Sequence, residues 1–397
     1  MLNQTMLQLG QNRSVIREIF EYSKQRAAEI GADRVFDFSI GNPNVPPPAE
    51  VSQALRDLVQ TADPLLLHGY SSAPGDLEVR RTIAASLQER FQARLTAQDL
   101  YMTAGAAAGL AITLKALCLP GDQVLLLAPF FPEYRVFAAA AQAQPVVVPP
   151  QPQSLQINFP QLERRLCPST KAIIVNSPNN PSGVILSREA LEQLCRLLEA
   201  KQEEYGHPIY IIADEPYREL VFDGSRLPWL PNLYANTIVC YSYSKSLSLP
   251  GERIGYIAVC EGVADQAQVY AALCGAGRAL GYVCAPTLFQ QVAARCAQAR
   301  PDISVYNGNR RLLYESLSSF GFSCIRPQGA FYLFMQSPEP DANAFCQRAK
   351  GFELLLVPGD DFGCPGYVRI AFCVSPEQVR ASLPAFQALA RDYGLTS

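Results

Sequence analysis

Histidine is almost absent from this chain of 397 residues: only His68 and His207 occur, and neither neighbours a cysteine. Two imidazoles do not complete a four-ligand zinc site without help. The 12 cysteines are scattered, with no C-x-x-C pair, and most fall inside strand or helix patterns, where a free thiol behaves as a small hydrophobe. No metal is therefore expected. Charge is also sparse, at 17% of residues with a formal net charge of −3, and no run of Lys and Arg occurs. That leaves no field to attract nucleic acid or an anionic membrane surface. No apolar stretch approaches bilayer length, and Met1 to Gly10 has neither a cationic start nor a long apolar run. The expectation is a cytoplasmic protein with no nucleic-acid and no membrane partner.

What is present is a large apolar interior, with hydrophobic residues at 49%. The length exceeds what one core usually supports, so two domains are expected. From Gly75 to about residue 285, short apolar runs alternate with helical patterns. The runs are Gln123–Leu127, Pro145–Val148, Ala172–Val175, Ile209–Ile212, Thr237–Cys240 and Ile254–Val259. Continuous rather than alternating hydrophobicity predicts strands buried on both faces, hence an α/β three-layer domain around a mostly parallel sheet. The last hundred residues change rhythm. Helices are expected near Tyr306–Ser319, Ala342–Lys350 and Pro376 to about Tyr393, with strands at Ala330–Met335, Leu354–Val357 and Tyr367–Phe372, a smaller α+β unit. At the start, Val15, Ile16, Ile19 and Phe20 lie at helical spacing, with Ser14 placed to cap the helix and Gly31 to end it. The proline-rich stretch Asn42–Pro48 reads as an extended crossing between two bodies. The expected division is 45–285 for the large domain, with 1–44 and 286–397 forming the small one.

Lysine is scarce too: Lys24, Lys115, Lys171, Lys201 and Lys350 lie in segments that read as helix surfaces or element ends. Lys245 alone sits among hydroxyls, in Ser242-Tyr243-Ser244-Lys245-Ser246, just after an apolar run and eight residues before Arg253. An amine there suits a Schiff base to an aldehyde whose phosphate the hydroxyls and guanidinium hold. Taken alone, the stretch reads equally well as a strand ending in a polar loop.

Ligands of an open parallel sheet lie beyond the carboxyl ends of its strands. Four such ends carry Pro129-Phe130-Phe131-Pro132-Glu133-Tyr134, Asn176-Ser177-Pro178-Asn179-Asn180-Pro181-Ser182-Gly183, Asp214-Glu215-Pro216-Tyr217 and the lysine motif. With Tyr101–Ala108 upstream and Tyr367-Val368-Arg369-Ile370 downstream, they resemble the fold-type I pyridoxal-phosphate aminotransferases, the class I/II group that includes aspartate aminotransferase. The resemblance runs from about Phe38 to Phe372. It implies a seven-stranded-type sheet and a homodimer with shared active sites, acting on an amino acid and a 2-oxo acid.

The resemblance also implies roles. Lys245 would carry pyridoxal 5′-phosphate and move the substrate Cα proton. Asp214 would face the pyridine nitrogen, Tyr217 and Asn180 the phenolic oxygen, and Phe131 the ring. Gly105, Ala106 and Ala107, opening a small-residue helix, would hold the phosphate with Ser242, Ser244 and Arg253, and with Tyr70 from the neighbouring subunit. The lack of a hydroxyl at 105–107 departs from many relatives and shifts contact onto the serines and Arg253. Arg369 would clamp the substrate carboxylate, and Gly41 would lie close to the substrate. Arg278 is the candidate for a distal carboxylate or a structural salt bridge, with Arg13 and Arg17 as weaker candidates. The activity expected is transamination of an L-amino acid, aspartate or glutamate being one choice. A C–S lyase of the same fold and a non-catalytic ligand-sensing module are the alternatives.

Overall fold

The computed structural model describes residues 2–11 and 15–395, so the Ser14 cap and Arg13 lie outside the described residues. Among the described residues, thirteen strands form three sheets. Strand β1 (Phe36–Asp37) stands first, followed by β2 (Leu100–Thr103), β3 (Gln123–Leu127), β4 (Gln144–Val148), β5 (Thr170–Asn176), β6 (Tyr210–Asp214), β7 (Thr237–Ser242) and β8 (Gly255–Val259). Strands β2 to β8 make one sheet in the order β2-β8-β7-β6-β5-β3-β4, with only β8 antiparallel to its neighbours.

The unbroken apolar runs are explained by two cores, one on each face. Leu125, Ile173, Ile211 and Val239 enter the first, with helices Leu77–Phe91 and Arg188–Tyr205. Their neighbours Val124, Leu126, Ile174, Ile212 and Ile238 enter the second, with helices Ala106–Leu117 and Gln266–Ala279. Successive side chains of a strand point to opposite faces, so a strand covered on both faces is apolar throughout.

The second sheet is antiparallel, with β9 (Cys324–Ile325), β10 (Tyr332–Gln336), β12 (Val357–Pro358) and β13 (Tyr367–Ala371) in the order β12-β13-β10-β9. Strand β11 (Leu354–Leu355) pairs in parallel with β1 instead. The run Leu354–Val357, expected as one strand, therefore serves two sheets. Helices Ser304–Ser319, Ala342–Lys350 and Pro376–Asp392 bury Leu313, Phe345 and Phe386 in this core beside Phe38. Helix Thr287–Arg295, expected in the smaller unit, instead buries Val292 and Ala293 in the large core. We therefore propose a domain boundary after that helix.

At the start, helix Gln4–Gln11 buries nothing. Helix Val15–Ile30 ends where Gly31, at φ 99°, bonds back to the Ala27 carbonyl. It packs Ile19 on Leu355, Val357 and Phe362, and Arg26 Nε donates to Glu353 at 3.0 Å. Its N-terminal turn thereby reaches the cavity beyond the large sheet, where Ile16 forms part of the wall.

Candidate active site

Three neighbouring strands, β5, β6 and β7, end at Asn176, Asp214 and Ser242. Asn176 fastens the first two ends. Its amide nitrogen donates to the Asp214 carbonyl at 2.8 Å, and its amide oxygen accepts the Asn180 N–H at 2.8 Å. The Asp214 carboxylate is buried. The hydroxyl of Tyr134 donates to its Oδ2, while Oδ1 has no partner. Burial pushes this carboxyl up to about 7; the Tyr134 hydrogen bond pulls the other way and the nearby Glu215 charge adds to the rise.

After Ser242 the chain makes a single helical turn, Tyr243–Ser246, capped by the Ser242 side chain, and this turn presents Lys245. The amine donates to the Gly41 carbonyl at 2.7 Å and lies 5.4 Å from the centre of the Phe331 ring. Burial lowers it to about 8. Cys373 opposes that shift, while the Arg253 and Arg369 charges reinforce it. An amine with that value is about one-tenth neutral at pH 7, far more than an ordinary lysine, and the neutral form is the nucleophile. Gly41 has no alternative here, because a Cβ would stand 1.9 Å from the Tyr332 hydroxyl.

Two places in the same cavity are prepared for anions. Helix Ala106–Leu117 starts at Gly105, φ 84°, without a side-chain cap, so its first N–H groups are free. Arg253 lies beside that start: it donates to the Ala104 carbonyl at 3.2 Å and the Pro250 carbonyl at 2.9 Å, and a Cβ on Gly105 would be 2.8 Å from its guanidinium. The hydroxyls of Ser242 and Ser244 are 2.7 Å apart, and Ser244 is 3.5 Å from Arg253.

The second place is Arg369, which is 2% exposed. Its guanidinium lies over the rings of Tyr332 and Phe362, at 4.8 and 5.0 Å. It donates to Asn180 Oδ1 at 3.1 Å and to the Ser39 carbonyl, but Nε has no partner and no carboxylate among the described residues pairs with it. Burial lowers its pKa, since a buried cation without a counter-charge is disfavoured.

The cavity wall brings together Gly41, Ala106, Ala107, Phe131, Asn180, Asp214, Tyr217, Ser242, Ser244, Lys245, Arg253 and Arg369. Gly105 stands directly behind Arg253. Three expected residues are elsewhere. Tyr70 is 89% exposed and Arg278 is exposed on helix Gln266–Ala279, and the salt bridge considered for it is not formed among the described residues. Arg17 is likewise exposed, whereas its neighbour Ile16 lines the cavity. Sequence reasoning missed Tyr134, Asn176 and Tyr332. The hydroxyl of Tyr332 is 2.9 Å from that of Tyr217. Asn176 was visible as a polar residue ending an apolar run, but the two tyrosines stand in aromatic surroundings that read as core.

A partly neutral amine, a buried carboxylate with a free oxygen and an uncapped helix start, all at strand ends of an open sheet, define a lysine-centred site for a phosphorylated aldehyde. The chain belongs to the class I and II aminotransferases, whose family model matches residues 33–386. It is 30% identical over 377 residues to a probable aspartate/prephenate aminotransferase of Thermus aquaticus, which covers 92% of this chain and 94% of that one. An aspartate aminotransferase of Thermotoga maritima is 28% identical over 368 residues, covering 91% and 93%. The crystal structure of an amino transferase from Eubacterium rectale superposes with a TM-score of 0.97 at 52% identity, covering 99% of both chains. The protein is thus a transaminase that uses pyridoxal phosphate. The residues present fit that group: the free Asp214 Oδ1 suits a ring N–H, and the helix start with Arg253 suits a phosphate.

Proposed function

We propose that this transaminase takes the amino group of an L-amino acid, aspartate or glutamate being the donors that the relatives' names suggest, and passes it to a 2-oxo acid through the residues gathered in the cavity. The observation that carries this reading is the buried pair of unpartnered ligand atoms, Asp214 Oδ1 and Arg369 Nε, in a cavity that also holds the Lys245 amine. Bound pyridoxal phosphate supplies an aldehyde carbon and an electron-withdrawing ring that stabilises negative charge at the substrate Cα. Lys245 is the amine that would hold the cofactor's aldehyde carbon and would carry the proton from the substrate Cα to that carbon. Asp214 holds a proton on the ring nitrogen through Oδ1. Tyr134, donating to Oδ2, fixes the carboxylate in that orientation.

Asn180 gives its amide oxygen to Arg369, which leaves its amide nitrogen free to donate to the phenolic oxygen together with the Tyr217 hydroxyl. Phe131 stands edge-on to Tyr134, with ring centres 5.7 Å apart, and offers its face to the cofactor ring. The N–H groups at Ala106 and Ala107, with Ser242, Ser244 and Arg253, hold the phosphate. Arg369 receives the α-carboxylate.

The reading includes a homodimer. Leu65, Leu66 and Tyr70 are exposed, as are Leu280, Tyr282 and Val283. The two segments adjoin, since the Thr287 hydroxyl donates to the Gly69 carbonyl at 2.7 Å and Gln290 donates to Ser71 at 3.0 Å. A second copy covering this patch would bring the Tyr70 hydroxyl to the other phosphate site and Arg278 to the other substrate site. No described helix is long and apolar enough to cross a membrane, and a cytoplasmic location is part of the same reading.

The test is a screen of amino donors against 2-oxoglutarate, read by the change in visible absorbance and by glutamate formed. Ammonia and pyruvate released from cysteine-type substrates, without any need for 2-oxoglutarate, would replace the transaminase reading with a lyase.

A further inference from the structure

We infer that Tyr332 is a positioning residue that ties the carboxylate-binding guanidinium of Arg369 to the hydroxyl of Tyr217, so that one side chain sets both the carboxylate site and the donor to the cofactor's phenolic oxygen. The inference rests on the roles proposed above for Arg369 and Tyr217.

Its position follows from the small sheet. Tyr332 opens β10 and lies opposite Ala371 on β13, while Arg369 lies opposite Phe334. Tyr332 and Arg369 are thus diagonal cross-strand neighbours on one face, a spacing that long side chains bridge. The guanidinium stands over this ring at 4.8 Å and over the Phe362 ring at 5.0 Å. With one N–H of Nη1 given to Asn180 and one of Nη2 to Ser39, the Nε N–H and the second N–H of each Nη are left for an incoming carboxylate. The two rings keep the guanidinium plane turned to meet it.

At its other end the same side chain places its hydroxyl 2.9 Å from that of Tyr217, the two rings being edge-on at 81°. The hydroxyl fills the space that Gly41 leaves by having no Cβ. The backbone is held as firmly. The Gly183 carbonyl accepts the N–H groups of Gln328 and Gly329 at 2.8 and 3.0 Å, and the Ala330 N–H donates to Leu220 at 2.8 Å with φ at 56°. The loop that carries Asn180 and the segment that follows Tyr217 thereby both fix the entry into β10.

The hydroxyl pair has a direction. Tyr217 must keep its own proton to donate to the cofactor, so Tyr332 donates to the Tyr217 oxygen, and a donor that is itself hydrogen-bonded in this way donates more strongly. A stronger donor draws charge from the phenolic oxygen and lets the nitrogen of cofactor-linked Lys245 lose its proton at lower pH.

Two variants of the holoenzyme separate this from simple packing. Tyr332→Phe keeps the ring and loses the hydroxyl. Its visible absorbance should titrate at a pH higher by a few tenths of a unit to about one unit. The KM for the best amino donor of the wild type should stay within about twofold. Tyr332→Leu should show the same spectral shift and also raise that KM about tenfold, through loss of the stacking on Arg369. An unshifted absorbance titration in Tyr332→Phe would overturn the inference, as would equal KM values in the two variants. A wild-type protein whose absorbance responds to no amino donor would instead bring down the transaminase reading.

Discussion

Asp214 and Glu215 are consecutive, both buried, and treated in opposite ways. Glu215 accepts from Arg218 Nε at 2.6 Å, and the Arg218 guanidinium stands 4.7 and 4.8 Å from the ring centres of Phe91 and Trp229, which stack on each other. Next to this pair, Glu219 accepts from Arg90 at 2.6 Å and from the Tyr241 hydroxyl at 2.7 Å. Each charge in that cluster has a counter-charge within the chain. On the cavity side, Asp214 has only a neutral tyrosine and Arg369 only neutral acceptors. A buried ion that is paired serves the fold, whereas one left unpaired lowers stability unless a ligand completes it. The first cluster therefore reads as structural and the second as prepared for the cofactor and substrate.

The largest effects should come from the prepared side. Lys245→Ala should abolish both transamination and the visible absorbance of the bound cofactor; a variant that kept the two would remove the assignment. Asp214→Ala should keep cofactor binding while turnover falls about a thousandfold, because nothing then holds the ring proton. Steady-state kinetics with saturating cofactor would reveal it, and an unchanged kcat would place the electron sink elsewhere.

The paired side should behave in the opposite sense. Arg218→Ala leaves Glu215 buried without a partner and should lower stability by about 3–5 kcal/mol in urea unfolding, with little change in the KM of the folded fraction. Arg369→Leu should raise the KM for the amino donor about 10–100-fold without destabilising the cofactor-free protein. Were the two arginine variants to swap these phenotypes, the distinction between the clusters would be wrong.

The smallest effect concerns pH. Asp214 is raised from an ordinary carboxylate value to about 7, so the folded state binds this proton more tightly than the unfolded state does. Its contribution to stability is complete below the unfolded value and is lost as pH rises towards 7. Cofactor-free wild type should lose about 2 kcal/mol relative to Asp214→Asn between pH 5 and 7, measured by urea unfolding at each pH. Parallel curves for the two proteins would mean that the carboxylate is ionised throughout.

Much of this was legible in the chain. The runs from Gln123 to Val259 are apolar without alternation because both sheet faces are covered, and the polar residues that end β5, β6 and β7 mark where the chain leaves the interior. Lys245 stood out by its hydroxyl neighbours and Asp214 by its place at a strand end. Tyr134 and Tyr332 did not, because an aromatic residue among Phe130, Phe131 and Tyr332's neighbour Phe331 has the same local signature whether its hydroxyl is used or idle. The change of sheet within Leu354–Val357 was equally invisible, since hydrophobicity records burial but not which partner strand provides it.

By itself the amino-acid order determined the layered sheet and the residues at its carboxyl edge, because burial on two faces leaves a direct mark on composition. Only the tertiary structure decided which of the buried charges are paired. Glu215 meets Arg218 across a single turn, but buried Arg369 has only the neutral acceptors Ser39 and Asn180, brought to it from 330 and 189 residues away. Pairing is a property of distance in space, and distance along the chain does not specify it.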